Sequence, residues 1–344
     1  MMRSSFATIQ QKHNIQRVLE TMNNINTKKE SVYPFKSLQA RDEYLSWYDR
    51  QAQENWPHLP MNEVQYIHTS FGDTFVRMGG GGDGSSTTTA PPPLVIVPGD
   101  GETSLAFSLV VESLSQHYRV FCLDHINDVG RSIPNKDHKI KCPSDLVQWL
   151  DEVLDGLHLQ LLVDRKVYLM GHSYGGWICT HYALVHPERL EKLVLLAPPA
   201  VVGGIPFGLL VRAILYGLFP TNRWYIQRYM YWFAPDCVQD DGRAKTIVDN
   251  MIEEQLLARK CFKPRKFIIP TKVSDKQWQT LSVPTLYMVG EHDVTNNSVQ
   301  ASVELLERLA PKMIQCIIAS PGDHHLYLIR PEWTCERVVE FLGF

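Results

Sequence analysis

Three residue types that together make a serine reactive occur along this 344-residue chain in the order serine, acid, histidine. Ser173 lies in Gly171-His172-Ser173-Tyr174-Gly175-Gly176, directly after the apolar run 166–170 and at the start of a helical stretch. A serine hydroxyl is a weak nucleophile. It needs a base within reach and hydrogen-bond donors waiting for the oxyanion that its attack creates. A sharp turn from strand to helix projects such a side chain outward. Glycines on both sides let two backbone segments approach closely and relieve the strain of the turning residue. A Gly-x-Ser-x-Gly pattern also arises by chance, so its meaning depends on its partners.

Those partners stand on later loops. Gly290-Glu291-His292-Asp293 follows the strand-like run 285–289. Asp293 lies farther past the strand end than Glu291, with room to turn inward, and is the expected acid that holds an imidazole in the right tautomer. Ser320-Pro321-Gly322-Asp323-His324-His325 follows the run 313–319, and its pair of histidines supplies the expected base. Two backbone N–H groups are expected to receive the oxyanion. One is that of Tyr174, immediately after the serine. The other is that of Asp100, in the turn Pro98-Gly99-Asp100-Gly101 that ends the run 94–97. Gly99, Gly101 and His172 are expected beside the substrate.

The elements that position these loops follow from periodicity. A hairpin is expected over 63–69 and 74–78, then a low-complexity loop over 79–93. Apolar strands at 94–97, 119–124, 166–170, 193–196, 285–289 and 313–319 alternate with helices near 105–117, 144–157 (Ser144 as N-cap), 174–186, 298–309 and 331–342. This alternation predicts an α/β protein with a mostly parallel, eight-stranded sheet and helices on both faces, its ligand site beyond the carboxyl ends of the strands. Residues 198–280 break the rhythm with helical stretches at 209–219, 224–233 and 244–259 and no strand, as a helical cap would. Their aromatic residues (Trp224, Tyr225, Tyr229, Tyr231, Trp232, Phe233) either line an apolar pocket or pack the cap. The domain reading is an N-terminal extension over 1–60, a core of 61–197 and 281–344, and the cap insertion. Residues 1 to about 40 are polar and aperiodic, as a tail or surface arm would be.

A formal net charge of −3 and the absence of Lys/Arg runs argue against nucleic acid and for a small-molecule partner. Seven scattered cysteines without Cys-x-x-Cys spacing fit a reduced, cytoplasmic setting better than secretion. The first 30 residues lack the apolar core of a signal peptide, although the acid-free stretch 1–19 has a trace of organellar transit character. The longest apolar stretch, 205–219, is interrupted by Arg212 and too short to span a bilayer. No cofactor or metal is expected: a set made of Glu291, His292, Asp293, His324 and His325 lacks metal-ligand spacing. Oligomeric state is not encoded in any recognisable pattern.

The ordered set of turn, elbow, acid and histidine resembles the α/β-hydrolase fold, over residues 63–342, in its carboxylesterase-like branch with a helical cap. Trp56-Pro57 and Asp124-His125-Ile126-Asn127-Asp128-Val129-Gly130-Arg131-Ser132 are similar to that branch. Pro331, seven residues after His324, matches a spacing common in the superfamily and favours His324 over His325 as the base. Two positions depart from the pattern: Pro98 stands where many relatives carry histidine, and Asp100 where a neutral residue is commoner. The resemblance implies a serine hydrolase cleaving carboxylic esters of apolar small molecules through an acyl-enzyme. The same triad also serves thioesters, lactones, amides and C–C bonds, and the scaffold also serves non-catalytic ligand receptors. Dehalogenase and epoxide-hydrolase relatives carry aspartate where Ser173 stands.

Overall fold

The computed structural model describes residues 32–58, 63–80, 91–161, 166–218, 221–240 and 242–343. The polar stretch before residue 32 and residues 81–90 of the low-complexity loop lie outside the described residues. The first helix among the described residues is α1 (Leu38–Asn55), capped by the Ser37 side chain, which accepts from Ala40 N–H. The hairpin β1 (Glu63–Thr69) and β2 (Gly72–Gly79) follows, turning at Gly72 with φ of 126°.

Next come β3 (Pro93–Val97), α2 (Ser108–Ser115) after a short 3-10 turn, β4 (Arg119–Leu123), a two-residue strand β5 (Ile133–Pro134) and α3 (Pro143–Leu161). Then follow β6 (Val167–His172), α4 (Ser173–Val185) and β7 (Leu190–Leu196). Five helices separate β7 from the next strand among the described residues: α5 (Phe207–Leu218), α6 (Arg223–Phe233), α7 (Pro235–Gln239), α8 (Arg243–Cys261) and α9 (Asp275–Gln279). The chain ends with β8 (Thr285–Gly290), α10 (Val299–Leu309), β9 (Ile314–Ala319), α11 (Leu326–Ile329) and α12 (Pro331–Leu342).

Eight strands form one sheet in the order β1-β2-β4-β3-β6-β7-β8-β9, with β5 added beside β2. The pairs β1–β2 and β2–β4 are antiparallel, and from β4 to β9 every pair is parallel. The central strands are buried along their whole length because helices cover both faces. Alternation sorts their side chains into two cores. Val95, Val97, Leu169, Leu193, Leu195, Tyr287 and Val289 pack with α3, α4 and α10. Leu94, Ile96, Met170, Val194, Leu196, Leu286 and Met288 pack with α2, α12 and part of the inserted helices. Each fully buried aliphatic side chain contributes roughly 1.5–3 kcal/mol.

Strand order reverses where β3 sends its two flanking neighbours to opposite sides, β4 to one and β6 to the other. The crevice at such a switch point opens at the carboxyl ends of β3 and β6. Val97 pairs with Gly171 there, which sets the Pro98 turn beside the residues before Ser173.

Two local expectations need correction. Ser144 is not a cap: α3 begins at Pro143, whose fixed φ and missing N–H suit a first helical position, and the Asp145 carboxylate reaches back to the Lys141 and Cys142 N–H groups. Helix α1 was not anticipated. Its buried side consists of little more than Tyr44 and Tyr48, one turn apart, too sparse for a clear amphipathic period.

Candidate active site

Ser173 turns the chain from β6 into α4 with φ of 49°, a left-handed conformation costly for a residue bearing a Cβ. The crowding around it explains its flanking glycines. A Cβ on Gly175 would lie 2.2 Å from Val97 O, and one on Gly171 would lie 2.6 Å from Gly175 O. No side chain fits either position, so β3, β6 and α4 meet backbone to backbone.

The loops after β8 and β9 bring two partners to this turn. His324 Nε2 is 2.8 Å from Ser173 Oγ, and His324 Nδ1 is 3.0 Å from Asp293 Oδ1. A carboxylate only accepts, so Nδ1 carries the hydrogen and Nε2 is left to accept from the serine hydroxyl. Asp293 is buried and also accepts from Thr295 N–H (2.9 Å), Thr295 Oγ1 (3.0 Å) and Asn296 Nδ2 (2.8 Å). Burial raises its carboxyl, but His324 and these donors outweigh that and hold it below the ordinary value. For His324, burial lowers the ring and Asp293 pulls it back up, while His172 and His325 push it down again. The net direction is down, which favours the neutral ring, the form whose Nε2 can accept a proton. The alternatives lie elsewhere. Glu291 accepts from Ser320 Oγ at 2.6 Å, and the His325 ring turns to Glu102, 3.3 Å from Nε2.

Glu102 is the functional side chain that sequence reasoning missed. It is buried beneath the elbow, where Oε2 accepts from Gly99 N–H (2.7 Å) and from His172 Nδ1 (2.8 Å). His172 Nε2 in turn donates to the backbone carbonyl of His324 at 3.0 Å. Both nitrogens of His172 thus face accepting oxygens, and the ring bridges Glu102 to the loop that carries His324. Burial raises the Glu102 carboxyl, yet His172 and then His325 outweigh it and hold the group well below the usual range.

This corrects the expectation for His172, whose fully buried ring has no nitrogen left to offer a substrate. Glu102, His172 and His325 bring ligand-capable atoms within 4.8 Å of one another, at contacts that hydrogen bonds account for. The five residues weighed from sequence as metal ligands divide among separate partners, with His292 paired to Asp236.

The Pro98–Glu102 turn closes the site from β3. A Cβ on Gly99 would lie 3.0 Å from Ser173 Cβ and 2.8 Å from Glu102 Oε2, so the turn approaches the elbow through a glycine. The Gly101 N–H, at φ of 73°, donates to Asp128 Oδ2 at 2.8 Å. With Gly99 and Gly101 both engaged, the Asp100 N–H is the amide of this turn that has no acceptor among the described residues. The Asp100 carboxylate is gripped by Arg265, which also binds Asp128 Oδ1 at 2.8 Å. Burial raises Asp128 to about 7, with Arg265 pulling down and Asp100 pushing up.

Arg265 lies in the stretch after α8, and neighbouring residues of that stretch frame the elbow. Tyr174 donates its hydroxyl to Ile268 O (2.9 Å), and its ring lies 5.1 Å from that of Phe267. The aromatic residues of α6 reach the site at one point, Phe233, whose carbonyl accepts His324 N–H at 3.3 Å and whose ring lies 5.2 Å from the imidazole.

A family model described as the alpha/beta hydrolase fold matches residues 92–237. Carboxylesterase YbfK of Bacillus subtilis is 26% identical over 90% of this chain and 96% of its own. The crystal structure of naproxen esterase from the same organism superposes with a TM-score of 0.73 at 22% identity, covering 87% of this chain and 97% of that one. A meta-cleavage product hydrolase from Pseudomonas fluorescens superposes at 0.62, with 20% identity and 82% and 98% coverage. The chain has the α/β-hydrolase fold and is similar to carboxylesterases. The segment matched by the family model contains the Pro98 turn, Glu102 and the elbow, whereas Asp293 and His324 lie beyond it.

Proposed function

We propose that this chain is a serine hydrolase that cleaves carboxylic esters of apolar small molecules through an acyl-enzyme. The observation that carries the reading is the relay Ser173 Oγ, His324 Nε2, His324 Nδ1, Asp293 Oδ1, at 2.8 and 3.0 Å, built from three strand ends. Ser173 attacks the ester carbonyl carbon while His324 takes its proton, and Asp293 stabilises the imidazolium that forms. The N–H groups of Asp100 and Tyr174 receive the negative charge on the carbonyl oxygen. Collapse of the tetrahedral intermediate breaks the ester C–O bond, and His324 returns its proton to the leaving alkoxide. Water activated by the same ring then releases the acid and restores Ser173.

The helices between β7 and β8 act as the cap, with Phe233 and Phe267 as apolar walls beside the imidazole and the elbow. None of the described helices is long and apolar enough to cross a membrane. All seven cysteines are unpaired, which supports a reduced compartment such as the cytoplasm.

The test is labelling by a fluorophosphonate probe together with turnover of short p-nitrophenyl esters. Ser173→Ala abolishes both while the fold, read by circular dichroism, is unchanged. Turnover that survives in this variant sinks the proposal.

A further inference from the structure

The outward face of α5 is apolar and uncovered among the described residues. Phe207, Leu210, Val211, Ile214 and Leu218 recur at spacings of three and four, which puts them on one stripe. They are 78, 46, 39, 53 and 66% exposed, and Trp224 at the start of α6 is 58% exposed. Single exposed apolar residues are ordinary, but five along one face of a twelve-residue helix are not. The helix is held in this orientation from its inner side. Tyr216 stacks on Tyr229 with ring centroids 4.4 Å apart and donates its hydroxyl to Gln255 Oε1 at 2.9 Å.

Charge gives this face a sign. Residues 197–235 contain Arg212, Arg223 and Arg228 and no aspartate or glutamate, in a chain whose formal net charge is −3. Arg212 and Arg228 are exposed and lie over indole rings, 4.4 Å from that of Trp232 and 5.0 Å from that of Trp224. Arg223 is paired with Glu253.

We propose that α5 and the start of α6 dock on an anionic lipid surface. An apolar stripe edged by arginine and tryptophan has the composition of a helix lying in the headgroup boundary, apolar side down and cations toward the phosphates. A second copy of the chain is a poorer complement. A twofold contact through this stripe sets each patch against its own image and gathers arginines from both copies with no acid of the patch between them. Two side chains link the docking helix to the site: Tyr216 of α5 donates to Gln255, which donates through Nε2 to Gly101 O in the turn facing Ser173. The docking itself does not depend on the ester-hydrolase reading, since it is measured without turnover.

The experiment is co-sedimentation of the full chain with vesicles of phosphatidylcholine alone or mixed with phosphatidylglycerol. Turnover of a short soluble ester and molar mass by light scattering are read in parallel. The wild type partitions onto the mixed vesicles and far less onto phosphatidylcholine. The double variant Ile214→Glu/Leu218→Glu lowers partitioning by more than about tenfold, and Arg212→Gln/Arg228→Gln lowers it on the mixed vesicles only. Soluble-ester turnover is unchanged in both, which separates loss of docking from misfolding and from failure of the catalytic reading. Absence of wild-type binding to either vesicle, or equal binding by the glutamate variant, overturns the proposal. So does a dimer that Ile214→Glu/Leu218→Glu dissolves, which would assign the stripe to a second copy.

Discussion

His172, the residue before the elbow serine, donates through Nε2 to the backbone carbonyl of His324 at 3.0 Å. One ring thereby fastens the elbow to the loop carrying the imidazole that faces it. Its other nitrogen is held by Glu102, which also takes the Gly99 N–H of the opposite turn. The three loops around Ser173 are therefore registered to one another by one buried Glu102–His172 contact.

The His172 ring lies beside that of His324, with centroids 4.9 Å apart. Burial is the largest influence lowering His324, and His172 adds to it against the pull of Asp293. Hydrolysis through His324 needs the neutral ring, and a lowered value extends the neutral form to more acid conditions. The acid limb of kcat/KM is therefore expected below pH 6.5, the ordinary histidine value, and His172→Asn moves it upward. A pH–rate profile with the wild-type limb above 6.5 contradicts this.

Replacing Glu102 by glutamine leaves the shape and removes the charge. One carboxylate oxygen becomes an amide NH2 facing groups that already donate, and the His172 ring loses its carboxylate partner. The expected loss is about 2–4 kcal/mol, seen as a lower urea midpoint at an unchanged slope. The sign with pH follows from a folded value held well below the ordinary 4.5. The stabilisation is complete above 4.5 and is lost as the pH falls through the folded value. The gap between wild type and Glu102→Gln therefore closes on strong acidification.

Arg265→Ala releases two carboxylates beside the proposed oxyanion position, those of Asp100 and Asp128. Negative charge there opposes the charge that develops on the substrate. Turnover is expected to fall by about 10–100-fold with KM less affected. Asp100→Asn in the same background restores part of the loss. A double-mutant cycle that is additive would show that the two residues act separately.

At Gly99 even alanine is too large, because its methyl group would meet both Ser173 Cβ and Glu102 Oε2. The turn must withdraw, and the Asp100 N–H withdraws with it. Gly99→Ala is expected to lower kcat by at least about tenfold, since a misplaced donor acts on the transition state more than on binding. Steady-state kinetics on a short ester checks it, with thermal unfolding as the control for folding.

The central strands were legible because a strand covered on both faces is apolar along its run, as 94–97 and 286–289 are. Ser173, Asp293 and His324 were legible as a set because each follows such a strand and chain order restricts their roles. Glu102 was not. A glutamate five residues beyond a strand reads as a solvated loop charge, and only folding brings it to His172, 70 positions away. Arg265 was hidden for a related reason, since it lies outside the regular elements in a region whose sequence carries no period. The concern raised by Asp100 was sound chemistry, and its resolution is a cation 165 residues distant that no local pattern reveals.

The N-terminal helix has a consequence for the order of events during synthesis. Tyr44 of α1 donates its hydroxyl to Glu254 of α8 at 2.6 Å, across 210 positions of chain, and Tyr48 reaches Asp124 and Ser104 beneath the β3–β4 loops. Phe35, Tyr44 and Tyr48 form one small cluster with Phe75, Val129, Ala258 and Cys261. A ribosome adding about 5–20 residues per second needs roughly ten to forty seconds between making Tyr44 and making Glu254. Throughout that interval Tyr44 lacks its final partner. Helix α1, the first among the described residues, is thus among the last to be locked, and its aromatic side keeps an open flank until α8 arrives.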